Sequence, residues 1–191
     1  KSANQGFNYA LAGAILADMA FQNKTAINAK GRLELVDPGD SGDPILDPLL
    51  HKILSTERQR RLVYWISIIS AKPKKLRRKI VASLYAKNVI LREDDRFLGI
   101  AQVDQGENSY SVKFQLKTSL RAGILAGEAI DLHSLALLGL LRSARLLQLV
   151  FTADEQRMAR RRIQEAIVRE ALENQSAQMI EEIDAAVVAC L

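Results

Sequence analysis

The segment from Tyr9 to Phe21 limits this chain most, because it can be only one thing. Ala10, Ala12, Gly13, Ala14 and Ala17 keep it thin, and Leu11, Ile15, Leu16 and Met19 recur at three- and four-residue spacing. That pattern predicts a buried helix which neighbouring helices approach closely. The same period runs through most of the chain. Helices are expected over Ile45–Leu54, Arg60–Ser70, Lys74–Asn88, Leu132–Val150, Ala153–Leu172 and Ala177–Leu191. Trp65 falls inside an apolar stripe and is expected in the core. The fold class is therefore mainly α, a single compact helical domain over residues 1–191 with small peripheral β-hairpins.

Two hairpins are expected. Thr25–Asn28 and Arg32–Val36 flank a Lys30-Gly31 turn, and Leu91–Val103 with Tyr110–Phe114 show period-two alternation around Gly106. Pro73 stands where proline is best tolerated, in the first turn of the Lys74–Asn88 helix. Leu76, Ile80 and Leu84 form an i, i+4, i+8 stripe that should meet the helices Tyr9–Phe21 and Leu132–Val150 in one core.

Charge is unevenly spread. Between Lys72 and Arg92 the chain carries Lys72, Lys74, Lys75, Arg77, Arg78, Lys79, Lys87 and Arg92 and no acidic residue. The acidic turn Glu93-Asp94-Asp95 comes next, and then the apolar Phe97-Leu98-Gly99-Ile100. A helix start combines outward N–H groups with these cations, which suits a phosphate. Lys74, Arg77 and Arg78 lie three or four apart and share one flank. Clustered cations beside an apolar hairpin tip fit an anionic membrane surface. A basic helix followed by a hairpin is also the layout of a winged-helix nucleic-acid binder. Its helix middle would need base-reading side chains, yet Ile80–Tyr85 is mostly apolar, and an acidic tip repels a phosphate backbone. Lipid is favoured over nucleic acid.

Catalytic motifs do not hold together. Gly39–Pro44 looks like a protease nucleophile loop, but the triad needs a positioned His and Asp on a suitable framework. The loop reads instead as an Asp/Pro/Gly turn before a helix. Asp40, Asp43 and Asp47 lack the spacing of a calcium loop, and His51 and His133 are too few and too far apart for a metal site. His133, beside Asp131, is expected in a capping role. Arg157, Arg160, Arg161 and Arg162 share a helix with Glu155, Glu165 and Glu170, so ion pairs on a solvated face account for them. Cys190 is the only cysteine, which excludes an intrachain disulfide and fits a reducing compartment. No apolar run reaches the length of a spanning helix and no signal peptide is visible, while the start at Lys1 rather than Met leaves room for preceding sequence. No enzyme activity, cofactor or metal is expected.

Several short segments, in order, resemble the Golgi phosphoprotein 3 family of helical membrane adaptors. They are Ala10–Asp18, Ser41–Asp47, Trp65-Ile66, Leu76–Lys79, Lys87–Ile90, Phe97-Leu98, Asp131–Leu138, Arg160–Ile163 and Ala186–Ala189. The resemblance implies a cytoplasmic protein, peripheral on a membrane, that binds phosphatidylinositol 4-phosphate and the cytosolic tails of membrane proteins. It places the lipid headgroup at Lys74 and Arg77, next to Arg78. Membrane contact or self-association into a homo-oligomer falls to the hairpin with Phe97, Leu98 and Ile100. The Trp and Arg that complete the family's pocket are replaced here by Ala3 and Ala12, which argues for general anionic-lipid binding in a compact member.

Overall fold

The first helix, α1 (Ala3–Phe21), is long and mostly small-sided, and its thinness is used. A Cβ at Gly13 would lie 2.6 Å from Leu140 Cδ2 and close to Ile183 and Val187, so two other helices rest almost on the α1 backbone. These contacts come from a computed structural model that describes residues 3–89 and 107–191. The mainly α class is correct.

Helix α1 stops in a left-handed cap. Asn23 has φ 54°, and the Asn23 and Lys24 N–H groups donate back to the Ala20 and Met19 carbonyls. The chain then pairs β1 (Thr25–Ile27) antiparallel with β2 (Leu33–Leu35), in the register Ala26 opposite Glu34. The turn between them closes on Asn28, whose Oδ1 accepts from the Lys30 and Arg32 N–H groups. The loop after β2 is tied by Lys24, whose buried ammonium donates to Asp37 at 2.5 Å and to the Gly39 carbonyl. Helices α2 (Asp47–Leu54), α3 (Leu62–Ser70) and α4 (Pro73–Ala86) come next.

The second half holds α5 (Glu107–Arg121), which runs into a π-helical turn at Ala122–Ala126, then α6 (Leu132–Ser143), α7 (Gln156–Ala171) and α8 (Gln175–Cys190). Helix α8 is central and packs against α1, α3, α6 and α7. Its two faces serve two apolar clusters. One gathers α1, α2, α3, Leu76 of α4 and Leu140 of α6 around Met179, Ile183 and Val187, with Trp65 buried as expected. The other gathers Leu120, Ile124, α6 and α7 around Ile180.

Four expectations need correction or qualification. The single helix over Leu132–Val150 is broken, because Arg145 adopts φ 61° and Leu146 N–H reaches back to the Leu141 carbonyl, ending α6 at Ser143. Only a 3-10 turn comes after it, at Leu147–Leu149. Tyr110–Phe114 is helix, not strand. The alternation is present, but Gln115, Leu116, Lys117, Leu120 and Arg121 are good helix formers, and a helix once started extends cheaply. As a result Val112, Phe114 and Leu116 are left exposed on α5. His133 does not cap. Asp131 takes that role by accepting from the Ser134 N–H at 3.0 Å, and the His133 ring stacks on Phe21 with centroids 4.1 Å apart. In the α4 stripe Leu76 is buried and Ile80 packs against the first cluster, while Leu84 is only partly buried. The other half of the expected hairpin, Leu91–Val103, lies outside the described residues.

Polar clamps join the helices. Arg142 of α6 donates to Gln164 of α7 and to Asp184 of α8. The pair is largely dry, with side chains 16% and 9% exposed, and burial pushes the Asp184 carboxyl up against the opposing pull of Arg142. Arg142→Met would strand Asp184 and should cost about 3–5 kcal/mol, whereas adding Asp184→Asn should recover most of that loss. Urea midpoints of the two variants check this.

Arg121 closes α5 onto the bundle through Glu155, with contacts of 2.7 and 2.5 Å, and also donates to the Val150 carbonyl. The Arg121 hydrogen bond is the main reason the Glu155 carboxyl falls from 4.5 to about 2, helped by the Thr152 N–H. A depressed folded value contributes stability that is complete above the unfolded value and lost as pH falls through the folded one. Thermal midpoints should therefore drop between about pH 4.5 and pH 2, and Arg121→Leu should flatten that part of the profile.

Candidate functional site

Helix α4 begins without the usual partners. Lys72 occupies the N-cap and supplies no side-chain acceptor, Pro73 stands next to it, and no acidic residue lies in the first turn. The first backbone bond runs from Leu76 N–H to the Lys72 carbonyl at 3.1 Å. The N–H groups of Lys74 and Lys75 have no backbone acceptor among the described residues. Cations normally avoid this end of a helix, because its exposed N–H groups carry partial positive charge. Here Lys74, Lys75 and Arg78 are exposed, and none of them, nor Arg77, has an ion pair among the described residues.

Arg77 differs from its neighbours. Its Nη2 donates to Asn8 Oδ1 at 2.8 Å, and its guanidinium carbon lies 5.1 Å from the centre of the Phe7 ring. Both partners come from the first turns of α1, so two helices distant in sequence fix one cation. A guanidinium stacked on a ring and bonded to an amide keeps its direction, while a lysine ammonium sweeps a wide volume. Asn8 takes one of the five donors that the fork offers. The Arg77 Nε is buried and has no hydrogen-bond partner among the described residues. Lys79 leans away, donating to the Pro44 carbonyl at 3.3 Å.

The structure thus places Lys74, Arg77 and Arg78 along one uncapped helix start. Ala12 is fully buried, so α1 offers no polar group at that position. Phe7 and Asn8 were not identified from the sequence. A signal existed: Phe7 lies one helical turn beyond Ala3, on the same side of α1, and is a large aromatic left 37% exposed. Phe97, Leu98 and Ile100 lie outside the described residues.

The other candidates resolve into structure. Ser41 Oγ donates to Asp47 at 2.6 Å, whereas His51 pairs with Asp40 at 2.8 Å, so serine and histidine engage different acids. The Ser41 hydrogen bonds hold the Asp47 carboxyl below the usual range. Asp43 Oδ1 accepts from the Ile45 and Leu46 N–H groups ahead of α2. In the second basic cluster Arg161 pairs with Glu165 at 3.3 Å, and Arg162 donates to the Ile124 and Leu125 carbonyls. Among the described residues no group of three His, Cys, Asp or Glu could hold a metal ion, and no helix is long and apolar enough to cross a membrane.

Asn8→Ala should cost about 1–2 kcal/mol of stability, because it removes an acceptor from a half-buried charged donor. Chemical denaturation checks this, with Asn4→Ala as the exposed control on the same helix.

The family model described as Golgi phosphoprotein 3 (GPP34) matches residues 1–183. No curated protein matches the chain.

Proposed function

This chain belongs to the Golgi phosphoprotein 3 family, and on that premise we propose that it is a peripheral membrane adaptor. It binds anionic phospholipid headgroups at the start of α4, with phosphatidylinositol 4-phosphate the lipid that the family suggests. One observation carries this reading. Arg77 is held by Asn8 and Phe7 beside the exposed Lys74 and Arg78, on a helix start that has no acid of its own.

The chemistry is electrostatic and involves no covalent step. A phosphate monoester approaching α4 meets backbone N–H groups, the fixed fork of Arg77 and two swinging cations. Phe7 lies against the guanidinium, and as a partly exposed ring it offers an apolar edge beside the headgroup. The family's aromatic and arginine at positions 3 and 12 are alanine here, so one cation is missing from the pocket. Binding should follow membrane charge more closely than headgroup stereochemistry. The segment with Phe97, Leu98 and Ile100 would add apolar contact with the bilayer or with a second copy. Tails of membrane proteins are the cargo that the family suggests.

The test is liposome flotation over a range of salt. Each cation near an anionic surface contributes about 1 kcal/mol, so Lys74→Ala with Arg77→Ala should weaken binding on the order of 30-fold. That loss should shrink as screening shortens to about 8 Å near physiological ionic strength. Undiminished flotation of the double variant at low salt would remove the site. A DNA-shift assay on the same preparations should show no binding that these substitutions abolish.

A further inference from the structure

A second basic site lies at the other end of α3, and no expectation from the sequence pointed to it. Arg32, Arg58, Gln59, Arg60, Arg61 and Tyr64 line an open hollow of about 350 Å³. Four of these six residues are arginines, and none has an ion pair among the described residues.

The backbone beneath them is fixed. Leu33 N–H donates to the Arg60 carbonyl at 2.9 Å, and Arg32 forms an antiparallel bridge with Arg61. Gln59 is held between Asn28 and Glu34, and the Arg60 guanidinium carbon lies 5.3 Å from the centre of the Tyr64 ring. This arrangement works against folding. Like charges directly opposite one another destabilise a strand pair, and Arg32 faces Arg61. Arg61 is also the N-cap of α3, with no side-chain cap and no acid in the first turn, so the arginines gather at the positive end of the helix. An anion would relieve both penalties together.

We propose that this hollow binds an acidic segment of a partner protein. Arg58, Arg60 and Arg61 fall within four consecutive residues, and the Arg32–Arg61 bridge brings a fourth guanidinium to the same hollow. Four guanidinium forks around one open hollow can each take a carboxylate, which suits a segment that carries several acidic side chains. Helix α3, nine residues and so about 14 Å long, lies between the hollow and the start of α4. The two sites can therefore be occupied at once. This inference does not rest on the headgroup reading.

The probe is a fluorescein-labelled peptide of about ten consecutive glutamates, followed by fluorescence anisotropy at low salt. The parent should bind, and affinity should fall as salt rises. Arg58→Gln with Arg60→Gln should weaken it about tenfold, since two exposed ion pairs are lost. Lys74→Ala with Arg77→Ala should leave peptide binding unchanged. Arg58→Lys with Arg60→Lys keeps the charge and removes the forks, and should fall between parent and glutamine variant. Three results overturn the proposal: no binding by the parent, equal losses in the glutamine and Lys74/Arg77 variants, or a glutamine variant that keeps the peptide but loses anionic liposomes. The last would make the hollow part of the membrane surface.

Discussion

The depth at which α1 lies in the bundle decides where everything else sits. That depth is set at Gly13, where Leu140 of α6 and Ile183 and Val187 of α8 press on the bare backbone. Any side chain there would push α1 outward unless Leu140 swung aside. Less than two turns earlier on the same rod come Phe7 and Asn8, which hold Arg77 of α4. A displacement of α1 by an ångström would break a 2.8 Å hydrogen bond that has no slack. Core packing and the geometry of the candidate site are thus one problem.

The two cationic helix starts show where the chain accepts a cost. Ordinary helix design places acids in the first turn, yet α3 and α4 have none and carry arginines or lysines at or beside their caps. Helix α7 likewise has no acid in its first turn and carries Arg157 there, but other helix starts are provided with side-chain acceptors. Asp131 caps α6, Asn174 caps α8, and Asp43 accepts from the turn ahead of α2. The starts of α3 and α4 differ from these in gathering several cations with neither an acid nor a side-chain cap. Arg161 and Arg162 make the contrast, since each finds an acceptor within the fold.

Much of the helical layout was legible because apolar periodicity is local. The buried faces of α1, α3, α7 and α8 come from spacing alone, and Trp65 went where its neighbours placed it. What failed was decided by single residues or by distant ones. Nothing in Leu132–Val150 announces a break, because Arg145 takes the left-handed conformation without being Gly or Asn. Alternation over Tyr110–Phe114 competed with helix formers downstream and lost. The charge cluster on α4 could be read directly, but Phe7 and Asn8 lie 69 residues or more from Arg77, and the contact is visible only once α1 and α4 are placed together. Arg32 and Arg61 were hidden for the same reason, since a single bridge across the sheet edge brings them together.

Fixed and mobile cations perform different work at the start of α4. A held guanidinium has already lost its rotamer freedom on folding, so an anion that meets Arg77 need not order it again. Lys74 and Arg78 are exposed and keep that freedom, and they can track phosphates at several heights and tilts. One rigid donor among flexible ones gives a preferred place for an anion without a strict shape. Ala12 is sealed in the core, so α1 adds no second rigid cation from that position. A site with one fixed direction distinguishes charged surfaces from neutral ones more sharply than it distinguishes one phosphate headgroup from another, because stereospecific recognition needs several fixed donors converging on different oxygens.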